Sequence, residues 1–472
     1  MSIVKGIWIS QEELMLRPMD GPAWLAVKKA SSGTNPPPNL SDQNSGNNVI
    51  TLAKAIVGVR EQNGLLVSQC LDTLTKLANG SYEKGARALA MGRELPAYII
   101  VADLLKLWQL DPQTNETFKK KILYILMEAP TSSGPHTLHE SHLDRPNNWG
   151  THATAAEIAV RMYLGDATNL DKAAQVFKGW LGDRKAYSGF KYGDLWWQAD
   201  PANPVGINPL GATIQTHNVD GAQPEELRRQ GSGFMWPPPS GGDAEMYAYE
   251  ALQGAIVSAW MLYRAGYLSI WDWSDKALLR AYHWLDQVAG WKPEGDDRWQ
   301  PPLVNLAYKT NYPVDPNATP GKNMGWTAFT HQSEIVVPEP TKFKLTLLIN
   351  AGGTVTLQPG NLDGTYPEGT TVTLTANPEQ GFHFVGWTGS LQGPDNPATL
   401  IMTGDRDVTA NFAQDTTGGD TVEELQAKIN SAKSQLALIP AQIDAVVLQL
   451  EDAKATMEEI RADVVAALEA LK

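Results

Sequence analysis

Apolar residues recur at intervals of three and four along the first two-thirds of the chain. Leu65, Cys70, Leu74 and Leu77 follow one such stripe. Ile99, Val101, Leu104, Leu105 and Trp108 follow a second, and Tyr247, Leu252, Ile256, Ala259 and Tyr263 a third. A stripe that returns once per helical turn predicts amphipathic helices, here over residues 1–334. Proline and glycine clusters such as NPPPN and WPPPSGG divide the stripes and predict long loops. Many amphipathic helices joined by long, tryptophan-rich loops lead to the expectation of helical hairpins packed in a ring around a cleft, an α/α-toroid.

Past a proline-bearing linker at 335–342 the period changes to two. KLTLLIN, GTVTL, TVTLTAN, FHFVGW and DVTANF read as short strands parted by glycine and proline turns, a small all-β module over 343–413 whose threonines and valines are expected to face outward. QDTTGGD makes 414–420 a flexible joint. Over 421–472 a heptad runs through Val422, Leu425, Ile429, Ala432, Leu436, Ile439, Ile443, Val446 and Leu450 to Leu471. Such a seam buries its apolar stripe only against another helix, so it predicts a C-terminal coiled-coil helix and a homo-oligomer. Isoleucine and leucine at both seam positions put a trimer slightly ahead of a dimer. Pro440 interrupts the seam, and a hairpin folding back there is the alternative. The expected fold class is therefore multidomain and mainly α: toroid, small β module, coiled coil.

Bulk properties narrow the function. A chain of 472 residues implies about three domains. A formal charge of −14 disfavours a nucleic-acid partner, which needs a basic face. An acidic polysaccharide stays open as a partner if arginines and lysines gather in one cleft. Cys70 is the one cysteine, so no disulfide forms within the chain. No run of about 18 apolar residues occurs, which excludes insertion of a membrane helix. The N-terminus lacks a signal-peptide pattern, so release by lysis is the expected route out of the cell.

The motifs GRELPAYIIVADLL, RPNNWGTHATAAEIAVRMYLGD, FKGWLGDR, DGAQPEELRR, YAYEALQGA and GKNMGWTAFTH, in this order, carry a resemblance. Over nearly all of residues 1–334 the chain resembles alginate-lyase-like α/α-toroid proteins. That resemblance implies cleavage beside a uronic acid by β-elimination. Such chemistry needs a cation or hydrogen-bond donor on the uronate carboxylate, a base for the adjacent C–H, and an acid for the departing oxygen. The resemblance implies carboxylate binding by Asn148 and Arg229 and proton transfer by His152 and Tyr247. In the best-known relatives the histidine directly follows the paired asparagines. Here Trp149 stands at that place and His152 comes three residues later. The bland alternatives are a helix cap for Asn147 or Asn148, a surface ion pair for Arg229 and a core phenol for Tyr247.

Trp149, Arg93, Tyr98, His217 and Trp236 are the expected substrate-binding residues. His217 is the second candidate for the base, and Trp236 offers a flat face to a sugar ring. His331 is a weaker candidate. HTLHESH sets His136, His139 and His142 three apart, a spacing a regular helix cannot turn onto one ion, so solvated loop histidines are expected and no metal. No P-loop, GxGxxG, GxSxG or CxxC occurs, and no cofactor is expected. The run VTLTANPEQGFHFVGWTGSLQG with the closing VTANFA resembles the bacterial B-repeat module of internalin-type surface proteins, which implies a spacer or adhesive unit.

Three readings follow. The first is a polysaccharide lyase acting on a uronate polymer, set in a phage fibre or depolymerase by its domain order, with an exported bacterial enzyme as the other setting. The second is a non-catalytic glycan-binding or structural virion or surface protein that keeps the toroid. The third, a hydrolase, requires a carboxylic acid such as Glu226 or Asp243 in the cleft.

Overall fold

The structure is a computed structural model that describes residues 6–132, 136–317, 324–332, 342–361, 363–415, 425–434, 436–437 and 440. The chain divides into two compact units, Met1–Val337 and Pro338–Lys472.

The first unit is helical. Three helices form its centre: Ala88–Leu104, Asn148–Leu164 and Asp243–Arg264. The Asn148–Leu164 helix packs against both of the others. All three are apolar or small-residue on nearly every side and are buried along most of their length, the pattern of a helix surrounded by protein. Two glycines set how closely they approach. A Cβ on Gly92 would stand 2.9 Å from the backbone carbon of His152, and one on Gly254 2.5 Å from that of Thr151. The middle helix begins after Asn147, whose side chain caps nothing, and ends at Gly165, which takes the left-handed conformation at φ 69°.

Amphipathic helices flank this centre, among them Asn47–Arg60, Gly64–Asn79 and Pro112–Met127. In Gly64–Asn79, Cys70, Leu74 and Leu77 are buried as their spacing predicts, but Leu65 in the first turn is 68% exposed. The second stripe breaks at Lys106, left-handed at φ 52°. Trp108 consequently lies on the separate short helix Leu107–Leu110 and is exposed. Trp8, Trp197, Trp284, Trp291 and Trp299 are fully buried. An indole removes roughly 150–250 Å² from water, a gross gain on the order of 4–6 kcal/mol each. Trp180 is also core, Trp273 half-buried and Trp196 37% exposed. Among the described residues no helix is long and apolar enough to cross a membrane.

A two-residue hairpin, β1 (Thr213–Ile214) and β2 (His217–Asn218), sits in a long loop of this unit. The second unit holds the β module: β3 (Lys342–Ile349), β4 (Gly353–Gln358), β5 (Thr365–Pro367), β6 (Thr371–Pro378), β7 (Phe382–Gly389), β8 (Ala398–Ile401) and β9 (Arg406–Gln414). One sheet has the order β5-β3-β9-β7, with β3 and β9 parallel; the other is the antiparallel β4-β6-β8. Leu345, Tyr366, Val372, Leu374, Trp387, Leu400, Met402 and Val408 form its core. Threonines of β6 face outward as expected, but Val372 and Val408 face inward, because strict alternation places one side of each strand on the core. β5 and β8 are too short to show a period in the sequence.

Residues 425–434 are helical, and the seam residues Leu425, Ile429 and Leu436 are 47%, 47% and 62% exposed. The rest of the expected coil, including Val422, Ile439 and everything from 441 onward, and most of both linkers lie outside the described residues.

Candidate functional site

The polar centre of the helical unit forms where the first turn of the middle helix meets its neighbours. Asn148 is its hub and is fully buried. Its backbone N–H donates to Glu226 Oε1 at 2.5 Å, and its Nδ2 donates to Glu250 Oε2 at 2.8 Å. Its Oδ1 accepts a long bond, 3.4 Å, from an Arg229 terminal nitrogen. Glu250 also pairs with Arg93, whose other terminal nitrogen donates to the Gln43 carbonyl at 2.9 Å. Glu226 pairs with Arg229, Nε to Oε2, at 3.0 Å.

Local sequence dictates this placement. Pro224 opens the one-turn helix Pro224–Leu227, which tightens into a 3₁₀ turn at Arg228–Gln230 and throws Arg229 to the surface side of Glu226. Glu225 and Arg228, a turn apart, form their own pair at 2.7 Å. On the long helix, Tyr247 and Glu250 lie three residues apart and so share a face. Arg229 lies over the Tyr247 ring, 4.3 Å from its centroid. The two are the accessible members of the group: Arg229 keeps 22% of its side-chain surface and Tyr247 is half-buried.

The electrostatics follow from burial. Burial lifts the Glu226 carboxyl to about 7, against the opposing pull of Arg229 and the Asn148 N–H. It raises Asp297 to about 8, although Gln253 and Gln300 both donate to its Oδ1, at 2.6 and 3.0 Å. It raises Glu94 well above the usual carboxylate range, and neither oxygen of that side chain has a hydrogen-bond partner. Arg93 is lowered by burial, with the charges of Asp296, Glu94 and Asp297 working against that.

The residues singled out from the sequence divide into three groups. Arg93, Asn148, Arg229 and Tyr247 come together as described. His152 lies one turn below Asn148 and is 2% exposed; burial and the nearby Arg93 charge hold its imidazole well below the usual range, and its Nε2 has no partner. Tyr98 is fully buried, its hydroxyl accepting from the Asn39 N–H at 3.2 Å. Trp149, half-buried, is covered by the Arg145 guanidinium at 4.9 Å. His217 stacks on Trp236 at 4.7 Å and 14°, and Phe234 extends the stack, itself resting against buried Trp197 at 4.6 Å. Both His217 and Trp236 remain partly open.

His331 is core, wedged between the rings of Trp8 and Trp260. The HTLHESH histidines depart from the solvated loop expected of them. Thr137 caps a real helix, Leu138–Asp144, in which His142 is buried against Thr154 and His139 reaches Glu157 at 2.8 Å. Among the described residues no group of three or more His, Cys, Asp or Glu side chains converges as metal ligands would.

Glu250, Glu94 and Asp297 are site residues that the sequence reading passed over. For Glu250 and Glu94 the signal is a carboxylate inside an apolar run, as in AYEALQG and GRELPAY, where a solvated face is impossible; Asp297, in the charged stretch EGDDRWQ, has none.

The β unit has a relative. Residues 343–416 match the divergent InlB B-repeat domain. The B-repeat match covers the module from β3 through β9 and stops there. No curated protein matches the chain.

Proposed function

We propose that the helical unit is an alginate-lyase-like α/α-toroid that binds a uronate-containing polysaccharide and cleaves it by β-elimination. The observation that carries this reading is the stacking of Arg229 on Tyr247 at 4.3 Å at the open edge of a buried polar network. A guanidinium there meets a uronate carboxylate and draws off the charge that develops when the adjacent C–H is removed. The Tyr247 oxygen, entering the step as the phenolate, takes that proton. The new double bond forms as the neighbouring C–O bond breaks, and the tyrosine returns a proton to the departing oxygen. Asn148 and Glu226 stand behind Arg229 and fix its direction. The His217–Trp236–Phe234 stack offers a flat apolar face to a sugar ring.

Replacement of Tyr247 by phenylalanine tests the assignment. Loss of one hydroxyl should lower turnover by about 10²–10⁴ while binding persists. His217→Ala and His152→Ala, compared side by side, then identify any second proton-transfer group. Unchanged turnover in Tyr247→Phe would exclude the mechanism.

One observation favours a second reading, a glycan-binding or structural virion or surface protein without catalysis. Asn148 and His152, half of the catalytic set the resemblance implies, are sealed from solvent, and the Asn148 amide is already engaged on both sides. In either case we place the chain on a virion or outside the cell after lysis. The B-repeat serves as spacer and residues 421–472 as a coiled coil joining two or three copies. The exposed seam residues Leu425, Ile429 and Leu436 support that last point.

A further inference from the structure

Two carboxylates flank the Asn148 hub, and they differ in what balances their charge. Glu250 is shared with Arg93, which is 6% exposed and out of a ligand's reach. Glu226 is 1% exposed and leans on Arg229, the one arginine of the network with an open face. Any anion that docks on that face competes with Glu226 for the same positive charge.

Beside Arg229 the surroundings give Glu226 little compensation, and the Arg228 charge adds only the weakest pull. On its own segment, Glu225 is occupied by Arg228 and by the Gly193 N–H, and Arg228 leans further toward Asp194. From the Asn148–Leu164 helix only the neutral Asn148 N–H reaches it. From the Asp243–Arg264 helix, Tyr247 covers Arg229, and Glu250 adds a second negative charge behind Asn148. A buried carboxylate robbed of its cation is costly, and protonation is the cheapest relief.

We propose that Glu226 is the positioning residue of Arg229, and that an anionic ligand arriving at Arg229 is taken up together with one proton, which Glu226 receives. The ligand half rests on the glycan reading above; the coupling of the two side chains does not. Glu226 suits the part because it titrates near neutrality: burial already holds it at about 7, so a modest further rise protonates it. Protonated, it still accepts from the Asn148 N–H through Oε1, so the start of the middle helix stays in place while the guanidinium turns to its ligand.

Two measurements on the full chain decide this. The first is calorimetric titration with a uronate tetrasaccharide at about pH 7.5 in two buffers of different protonation enthalpy. With Tyr247→Phe as the background, so that the sugar is bound without being cleaved, the protein should take up roughly half a proton or more per ligand, and adding Glu226→Gln should leave binding with uptake near zero. Binding without proton uptake, or equal uptake with Glu226→Gln added, would overturn the proposal. The second uses ligand-free protein: beyond the carbonyl absorption that Asp297 and Glu94 already give wild type, Arg229→Gln should show an added infrared carbonyl band of a protonated carboxyl at the same pH, and Arg229→Gln with Glu226→Gln should lack the added band. Absence of the added band in Arg229→Gln would refute the coupling. If the tetrasaccharide does not bind at all, the glycan reading fails, and the added carbonyl band still rules on the Glu226–Arg229 pair.

Discussion

Glu250→Ala is the most informative single change to the polar centre. Its carboxylate holds two buried partners at once, the Arg93 guanidinium and the Asn148 amide. Truncation leaves a cation that is 6% exposed without its counter-ion and an amide donor without an acceptor. Breaking a buried ion pair from one side costs about 3–5 kcal/mol, and the stranded amide adds about 1–3 kcal/mol less whatever water enters the vacated space. A net loss of roughly 4 kcal/mol should lower the melting temperature by about 8 °C, at close to 2 °C per kcal/mol for a unit of this size. Differential scanning calorimetry of wild type, Glu250→Ala, Arg93→Met and the double variant closes the cycle. The double variant should recover much of the loss, because no unpaired charge remains. A Glu250→Ala protein within about 1 kcal/mol of wild type would mean the network is hydrated and open, and the burial argument would fall.

Other outcomes follow from the same structure. Asp297 has its carboxyl raised, so between its unfolded value of 3.8 and its folded value of about 8 the native state holds the extra proton, and stability falls as pH rises through that window. Asp297→Asn keeps the acceptor for Gln253 and Gln300 without the charge; its unfolding free energy should match wild type near pH 4 and exceed it near pH 9 by an amount on the order of 3–5 kcal/mol, with the melting temperature moving in the same sense. Equal pH profiles would refute this. Deleting everything after Gly419 should convert an oligomer to a monomer in light scattering, and a monomeric intact chain would dispose of the coiled coil.

What the sequence made legible was what depends on period. The stripes through Cys70, Leu74 and Leu77 and through Leu252 and Ile256 mark the buried faces of helices, and the alternation in TVTLTAN marks β6. Leu65 and Trp108 escaped because a stripe does not reveal where a helix starts or breaks, and the left-handed turn at Lys106 has no signature in an ordinary lysine. Arg93, Asn148, Arg229 and Tyr247 come from four separate segments, and no local pattern could join them; the resemblance pointed at Asn148, Arg229 and Tyr247 together with His152, and Arg93 stood apart among the expected substrate-binding residues. Glu226 enters from the sequence only as the acid a hydrolase would need, and Glu250 as a carboxylate in an apolar run; what either one holds is not legible until the packing of three helices is known. Burial then makes them the groups that hold the asparagine and the arginines in place.

The central claim is that Arg229 and Tyr247 act on a uronate polymer, and product analysis of wild-type protein on a panel of acidic polysaccharides tests it most directly. Elimination creates a double bond in the sugar ring beside the carboxylate, so the fragments should absorb in the ultraviolet and carry one water fewer than hydrolysis products of equal length, with Arg229→Ala abolishing both signals. Saturated, hydrated fragments from wild type, or no fragments from any uronate polymer, would contradict the account.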